Sequence, residues 1–312
     1  EIASCLVGSE MCIRDSPAVK ESAKWLSEHG FEVSYIPVNA QGFVDVEALA
    51  GLLRPDTILV SVMAVNNEIG SIQPIQEISA LLANEPTISF HVDAVQAIGK
   101  IPVSAYLTDR VDFATFSGHK FHAVRGVGFV YKKAGKKITP FLTGGGQEKD
   151  LRSTTENVAG IASMAKALRL VTDKEEFSLP KIAKMKKIIF DELAKYEDIT
   201  IFSGEGEDFA PNILTFGIKG VRGEVVVHAF EEHQIYISTT SACSSKAGKP
   251  AGTLISMGIP TKLAQTAVRI SLDDDNDMGQ VEQFLTIFKQ VYAKTQKAVS
   301  YTHLRAHETR GN

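Results

Sequence analysis

The chain has 312 residues, enough for one large domain or two of ordinary size, and its 44% of hydrophobic and 22% of charged residues are typical of a water-soluble globular protein. A formal net charge of −4 without a basic stripe argues against direct nucleic-acid binding, and no apolar run approaches the roughly 20 residues of a membrane span. Three cysteines are too few for a disulfide framework, which favours a reducing, cytoplasmic setting.

The two ends of the chain show no regular pattern. Residues 1–16, EIASCLVGSEMCIRDS, have neither helical nor strand periodicity and make a poor secretory signal, and residues 299–312 are equally without pattern. We interpret both segments as non-native sequence, with disordered tails as the alternative, and leave them out of the fold prediction. Cys243 is then the one cysteine left in the chain.

A large domain is predicted at 17–174, in which helical and strand patterns alternate from residue 17 to about 130. A helix begins at Pro17 and ends at Gly30, and a short helix opens on Asp45 as its N-cap. Several strands are continuous apolar runs, as in strands buried on both faces of a parallel sheet. Strands are predicted at 31–38, 57–65, 87–95, 111–117 and 126–133, with a further helix at 74–83. The alternation predicts an α/β fold with a mainly parallel sheet flanked by helices.

A smaller α+β domain is predicted at 175–298. A glycine-rich segment at 142–157 and a helix at 158–173 lead into it. Its own elements are helices at 180–196, 223–233 and 275–298 and strands at 212–218, 235–239 and 267–272.

Two residues that follow buried strands suit the binding of a cofactor. Asp93 ends one predicted strand, at the edge where open α/β sheets bind ligands, and Lys120 directly follows another. Pyridoxal phosphate (PLP) requires a lysine for a Schiff base and an acid that keeps the pyridine nitrogen protonated. Asp93 and Lys120 supply that pair, although Asp93 alone would favour a helix cap and the short SGHK stretch alone is consistent with a surface turn.

Five short motifs extend this pattern over the whole chain. In order they are VNNEIG at 65–70, HVDAVQ at 91–96, SGHK at 117–120, GGGQEKDLRSTTEN at 144–157 and TSACSS at 240–245. Together they resemble the cysteine desulfurases of the NifS/IscS-like group, in the class V aminotransferase family. The resemblance covers about 17–297.

This resemblance implies a homodimeric PLP enzyme of fold type I, in which Lys120 forms the Schiff base and Asp93 pairs with the pyridinium nitrogen. An arginine, whose fork suits bidentate carboxylate binding, is implied to hold the substrate. Gln96 and Asn67 are implied to contact the cofactor ring. Ser117, His119 and, across the dimer, Thr155 are implied to contact its phosphate. Arg269 and Asn67 are implied to contact the substrate carboxylate.

Cys243 lies among small hydroxylated residues in the stretch ISTTSACSSK. The resemblance implies that its thiol attacks the sulfur of L-cysteine, so that L-alanine leaves and Cys243 becomes a persulfide. The sulfur would then pass to an acceptor, such as an iron–sulfur scaffold or a tRNA-thiolation enzyme. We expect no intrinsic metal site, only transient contact between Cys243 and an iron–sulfur cluster on a partner.

The sequence departs from the family pattern at several places. The family's first portion, with a phosphate-binding turn, is absent before Ser16, which stands where the family has a ring-stacking histidine. Asp150 and Thr154 replace usual glycines. We therefore expect an N-terminally truncated desulfurase. Two alternatives remain open: another class V enzyme, such as a selenocysteine lyase or an aminotransferase, and a non-catalytic fragment that dimerises and docks acceptors.

Overall fold

The structure, a computed structural model, describes residues 10–14, 16–240 and 252–308. The chain divides near residue 176 into two compact units, and the short segments 38–43 and 66–72 belong to the second unit. Among the described residues, no helix combines the length and the apolar character that a bilayer span requires.

The first unit is built around a six-stranded sheet. Its strands are β1 (Glu10–Arg14), β2 (Glu32–Tyr35), β3 (Thr57–Met63), β4 (Ser89–Asp93), β5 (Phe113–Ser117) and β6 (Gly128–Lys132). They lie in the order β2–β1–β3–β4–β5–β6, and every neighbouring pair is parallel except β5 with β6. The prediction of a mainly parallel sheet is confirmed. The helices of this unit are α1 (Pro17–Ser27), α2 (Val46–Leu52), α3 (Ile75–Leu81) and the first part of α4 (Val158–Leu193).

The central strands are buried on both faces, as their continuous apolar sequences indicate. On β3, Val60 and the next residue, Ser61, are both 0% exposed, and on β4 Val92 is 0% and Asp93 6% exposed, so the two alternating faces are both covered. The helix α2 begins where predicted, because the carboxylate of Asp45 accepts a hydrogen bond of 2.9 Å from the backbone N–H of Ala48.

The expectation that residues 1–16 contain no regular element is wrong for Glu10–Arg14. These residues form β1, which pairs in parallel with both β2 and β3. The carboxylate of Glu10 is buried and accepts hydrogen bonds from Ser34 Oγ at 2.5 Å and Thr57 Oγ1 at 2.7 Å. A strand with neighbours on both sides is held by backbone hydrogen bonds. Such a strand does not need the alternation of apolar and polar side chains from which a strand is predicted in a sequence.

The second unit contains a four-stranded antiparallel sheet. Its strands are β7 (Ile199–Ile201), β8 (Ile213–Ile218), β9 (Ser238–Thr239) and β10 (Ala267–Ser271), in the order β7–β8–β10–β9. Its helices are the second part of α4, α5 (Gly223–Glu231), α6 (Gly252–Ser256), α7 (Thr261–Ala264) and α8 (Met278–Glu308). A core that includes Phe216, Phe230 and Phe288 joins the sheet to α4, α5 and α8.

Two helices are longer than predicted. The patterns at 158–173 and 180–196 belong to one helix, α4, with Pro180 inside it. An interior proline costs about 3 kcal/mol, but beyond it α4 buries Ile182, Met185, Ile189 and Leu193, which offsets that cost. The last helix, α8, continues past residue 298 to Glu308, where no glycine or proline interrupts the sequence.

Candidate functional site

The carboxylate of Asp93 lies at the carboxyl end of β4, where the sheet edge is built from parallel strands. Asp93 is 6% exposed. Its Oδ2 accepts a hydrogen bond of 2.6 Å from Ser16 Oγ, and its Oδ1 accepts one of 3.0 Å from the backbone N–H of Val95. Its backbone pairs with Met63 on β3 and Thr115 on β5. A buried carboxylate held by hydrogen bonds in this way is suited to receive a cationic ring N–H.

A row of hydrogen-bonded side chains crosses the same sheet two residues before Asp93. His91 Nδ1 lies 2.6 Å from Ser61 Oγ, and His91 Nε2 lies 3.1 Å from Thr115 Oγ1, so three neighbouring strands are joined. Burial lowers the pKa of His91, and the nearby Asp93 opposes that effect only in part. Because period-two alternation places residues 91 and 93 on one face of β4, this neutral row lies beside the Asp93 carboxylate.

Lys120 follows the neighbouring strand, β5, within a short 3₁₀ turn at Gly118–Phe121. The buried ring of Phe121 anchors the turn, whereas His119 and Lys120 are exposed. Position 118 is crowded, which favours glycine, because a Cβ there would lie 3.1 Å from the carbonyl oxygen of Val127 and from two side-chain carbons. The backbone N–H of Gly118 donates to that carbonyl at 2.9 Å.

The structure therefore brings one group of the predicted residues to adjacent strand ends. Ser117 ends β5, His119 and Lys120 follow it, and Asp93 ends the parallel neighbour β4. Gln96 is half-buried in the turn that follows Asp93. This donor set fits PLP: a buried carboxylate for a ring nitrogen, an exposed amine for an aldehyde, and a hydroxyl and an imidazole for phosphate oxygens.

Thr155 is exposed in the segment between β6 and α4. Three residues of this segment, Glu148, Lys149 and Asp150, have left-handed backbone conformations with φ of 52°, 55° and 63°. Asp150 thus adopts a conformation that favours glycine, the residue expected there, whereas Thr154 has no positive φ.

Arg269 and Asn67 lie together in the second unit. A terminal guanidinium nitrogen of Arg269, on β10, donates a hydrogen bond of 2.7 Å to the backbone carbonyl of Asn67. On β10, Arg269 pairs with Thr215 of β8 and with Ser238 of β9. The arginine predicted to hold a carboxylate is therefore fixed by the VNNEIG motif through the main chain of Asn67, a contact that the sequence did not predict.

The turn at Asn66–Ser71 contains residues that sequence reasoning missed. The amide oxygen of Asn66 accepts hydrogen bonds from the backbone N–H groups of Glu68 at 2.9 Å and Ile69 at 3.0 Å. Its amide nitrogen donates to Thr253 Oγ1 at 3.1 Å, and Glu68 Oε2 accepts from the backbone N–H of Thr253 at 3.1 Å. The adjacent polar residues in VNNEIG were a signal for such roles, but their partners lie far away in the sequence.

Cys243 lies outside the described residues, in the stretch 241–251. The described residues on either side of this stretch are β9 and α6. On one side, Ser238 of β9 pairs with Arg269. On the other, Thr253 of α6 is bonded to Asn66 and Glu68, which flank Asn67 in the sequence. Both flanks of the stretch that contains Cys243 are thus tied to the surroundings of Arg269.

Known proteins are similar to this chain over most of its length. Residues 14–284 match the aminotransferase class-V family. A Lactobacillus delbrueckii subsp. bulgaricus protein described as a NifS/IcsS protein homolog is 49% identical over 267 residues, 86% of this chain and 69% of that protein. The cysteine desulfurase IscS of Dictyoglomus turgidum is 36% identical over 284 residues, 91% of this chain and 72% of that protein. A solved structure described as a NifS-like protein superposes with a TM-score of 0.82 at 34% identity, over 93% of this chain and 75% of that one.

Proposed function

The chain belongs to the class V aminotransferase family and is a PLP-dependent cysteine desulfurase of the NifS/IscS group, and from this premise we propose how its own residues act. In this proposal L-cysteine is the substrate, Cys243 receives its sulfur, and L-alanine is released.

Lys120 and Asp93 are assigned to the two ends of the cofactor ring. Lys120 binds the aldehyde carbon through its amine, and Asp93 holds the proton on the ring nitrogen. When bound, PLP withdraws electrons from the Cα of the amino acid and so weakens the bonds around it. Gln96 contacts the ring hydroxyl, and Ser117 and His119 contact the phosphate. Support comes from the strand ends, which place Asp93, Ser117, His119 and Lys120 at one edge of the sheet.

Arg269 is assigned to the carboxylate of L-cysteine, with Asn67 beside it. A guanidinium group binds a carboxylate through two parallel N–H···O bonds, which fixes the direction of the substrate as well as its position. The bond from Arg269 to the Asn67 carbonyl supports this role, because it restricts the side chain before the substrate arrives.

Cys243 is assigned as the nucleophile toward the substrate sulfur. Its thiolate forms an S–S bond while the substrate's Cβ–S bond breaks, and the electron pair and a proton at Cβ complete L-alanine. One observation carries this proposal most: the described residues on both sides of 241–251 are bonded beside Arg269 and Asn67. The described residues that precede and follow the stretch with Cys243 are therefore both bonded to the surroundings of the group assigned to the substrate.

The test is the variant Cys243→Ala in the full chain with PLP. We expect it to bind PLP and L-cysteine like the parent protein but to release almost no alanine and to gain no persulfide by mass spectrometry. Cys12→Ala is the matched control and should retain the parent activity. Alanine release by Cys243→Ala at the parent rate would refute the assignment.

The same proposal includes a cytoplasmic homodimer in which Thr155 reaches the partner's phosphate site and an acceptor protein takes the sulfur. The low cysteine count supports a reducing compartment. An acceptor belonging to an iron–sulfur or tRNA-thiolation pathway would collect the persulfide sulfur directly from Cys243.

A further inference from the structure

The side chain of Glu68 links the turn that holds Arg269 to the chain segment that follows Cys243. Glu68 is the residue after Asn67, whose carbonyl holds Arg269 at 2.7 Å. Its side chain is half-buried, and Oε2 accepts the backbone N–H of Thr253 at 3.1 Å. Thr253 lies shortly after Cys243 in the sequence. One side chain therefore connects the turn beside the substrate arginine with the chain that leads to the thiol.

The turn that presents Glu68 is fixed independently of Thr253. The backbone carbonyl of Glu68 accepts a hydrogen bond of 2.5 Å from Thr215 Oγ1, and the carbonyl of Ile69 accepts one of 2.7 Å from Ser203 Oγ. The backbone N–H of Ala210 donates to the carbonyl of Gly70 at 2.7 Å. The loss of the Glu68 carboxylate would leave all of these bonds in place.

The attachment of α6 to the same turn has an apolar part as well. Leu254, the residue after Thr253, and Ile69 of the turn are both 0% exposed and share a hydrophobic cluster with Phe202. This packing keeps α6 folded against the turn, but an apolar contact is not directional. The hydrogen bonds from Glu68 and Asn66 are directional and orient Thr253. Glu68 Oε2 accepts from the backbone N–H of Thr253, and the amide nitrogen of Asn66 donates to its hydroxyl oxygen.

We propose that Glu68 is a positioning residue of the desulfurase, which holds the chain at Thr253 in register with Arg269 and so sets how often the thiol of Cys243 meets the sulfur of bound L-cysteine. This inference rests on the proposed function of Cys243. It predicts an effect on the sulfur-transfer step, with little effect on the binding of either PLP or L-cysteine.

The test compares Glu68→Ala and Glu68→Gln with the parent protein in the full chain with PLP. A misplacement of about 1 Å in a reacting group costs as much as 100-fold in rate, and we expect kcat for alanine release to fall about tenfold in Glu68→Ala. KM for L-cysteine and the visible absorbance of bound PLP should stay unchanged. Glu68→Gln, whose amide oxygen accepts the same bond, should restore kcat to within about threefold of the parent value.

Two further variants make the result specific. Thr253→Pro removes the N–H donor at the start of α6, where proline is tolerated, together with the hydroxyl that Asn66 contacts, and should lower kcat at least as much as Glu68→Ala does. Adding Glu68→Ala to Thr253→Pro should lower kcat no further, because the bond from Thr253 to Glu68 is already lost. Glu282→Ala, which alters an exposed carboxylate on α8, is the matched control and should keep the parent kcat.

A measurement without turnover checks the bond in solution. Hydrogen exchange in the peptide that covers 252–257 should be faster in Glu68→Ala than in the parent and in Glu68→Gln. Unchanged exchange would overturn the proposal, and so would faster exchange with an unchanged kcat. If Cys243→Ala is inactive while Glu68→Ala keeps the parent kcat, the inference about Glu68 alone fails. If Cys243→Ala still releases alanine, the proposed function fails.

Discussion

Lys186 is a cation buried in the second unit, and its replacement by methionine should stabilise the protein at neutral pH. It lies on α4 and is 6% exposed. Its ammonium group donates a hydrogen bond of 3.0 Å to the carbonyl of Ala210 and lies 5.7 Å from the centre of the Phe209 ring. Burial lowers the pKa of Lys186 to about 8, and the charge of Glu205 opposes this effect in part.

The size of the effect follows from that pKa. Lys186 titrates at about 8 in the fold and at 10.5 as a free side chain. Because each pKa unit corresponds to about 1.4 kcal/mol, a charged Lys186 costs the fold about 3 kcal/mol at pH 7. Methionine has a similar length and no charge, but it leaves the Ala210 carbonyl without its bond, which costs about 1 kcal/mol. The net gain for Lys186→Met is about 2 kcal/mol.

The gain should depend on pH in one direction. Between about 8 and 10.5 the unfolded chain binds the Lys186 proton and the folded chain does not, so the parent protein gains stability as the pH rises through this window. The advantage of Lys186→Met is therefore complete below about pH 8 and disappears toward pH 10.5.

Urea unfolding of the parent and of Lys186→Met, at pH 7 and again near pH 10, measures both quantities. Lys187→Met is the control, because Lys187 is the exposed neighbour that forms surface ion pairs with Asp191 and Glu205 and should show no comparable gain. A Lys186→Met variant that is less stable than the parent at pH 7 would refute the reasoning, as would a gain that grows with pH.

Two further predictions address the substrate site and the strand β1. Arg269→Ala should raise KM for L-cysteine by about 10- to 100-fold, because it removes a charge-assisted bond of about 1.5–3 kcal/mol. The visible absorbance of bound PLP should stay intact. An unchanged KM in steady-state assays would contradict the assignment. Met11→Ala should lower the free energy of urea unfolding by about 2–5 kcal/mol, because Met11 is 2% exposed and packs with Ala23, and a change below about 0.5 kcal/mol would show that β1 does not form in solution.

The parts of the fold that the sequence predicted are those with a local signal. Asp45 indicated α2, and the sequence also indicated the strands β4 and β5, at whose neighbouring ends Asp93 and Lys120 lie. The strand β1 gave no such signal, since its pairing depends on backbone bonds with two other strands. Pro180 indicated a break between two helices that does not occur, because burial of the apolar face of α4 outweighs the free-energy cost of an interior proline.

The candidate site divides in the same way. The sequence predicted Lys120, Asp93, Arg269 and Asn67 as site residues, because each of them belongs to a short stretch with its own pattern. The roles of Asn66, Glu68 and Thr253 could not be read from the sequence. Their bonds join residues 185 and 187 positions apart, and only the folded second unit brings them together.

The inclusion of residues 66–72 in the second unit has a consequence for how the protein is made. The carbonyl of Ile69 accepts its hydrogen bond from Ser203, 134 residues downstream, and the carbonyl of Glu68 accepts one from Thr215, 147 residues downstream. During synthesis this turn therefore emerges from the ribosome long before its partners exist, while the strands β1 to β5 can already pair. Such distant contacts fold slowly, and the half-made chain exposes Ile69 and its neighbours to aggregation in the meantime. A fragment of residues 177–308 alone would lack this turn altogether and should not fold as an independent domain.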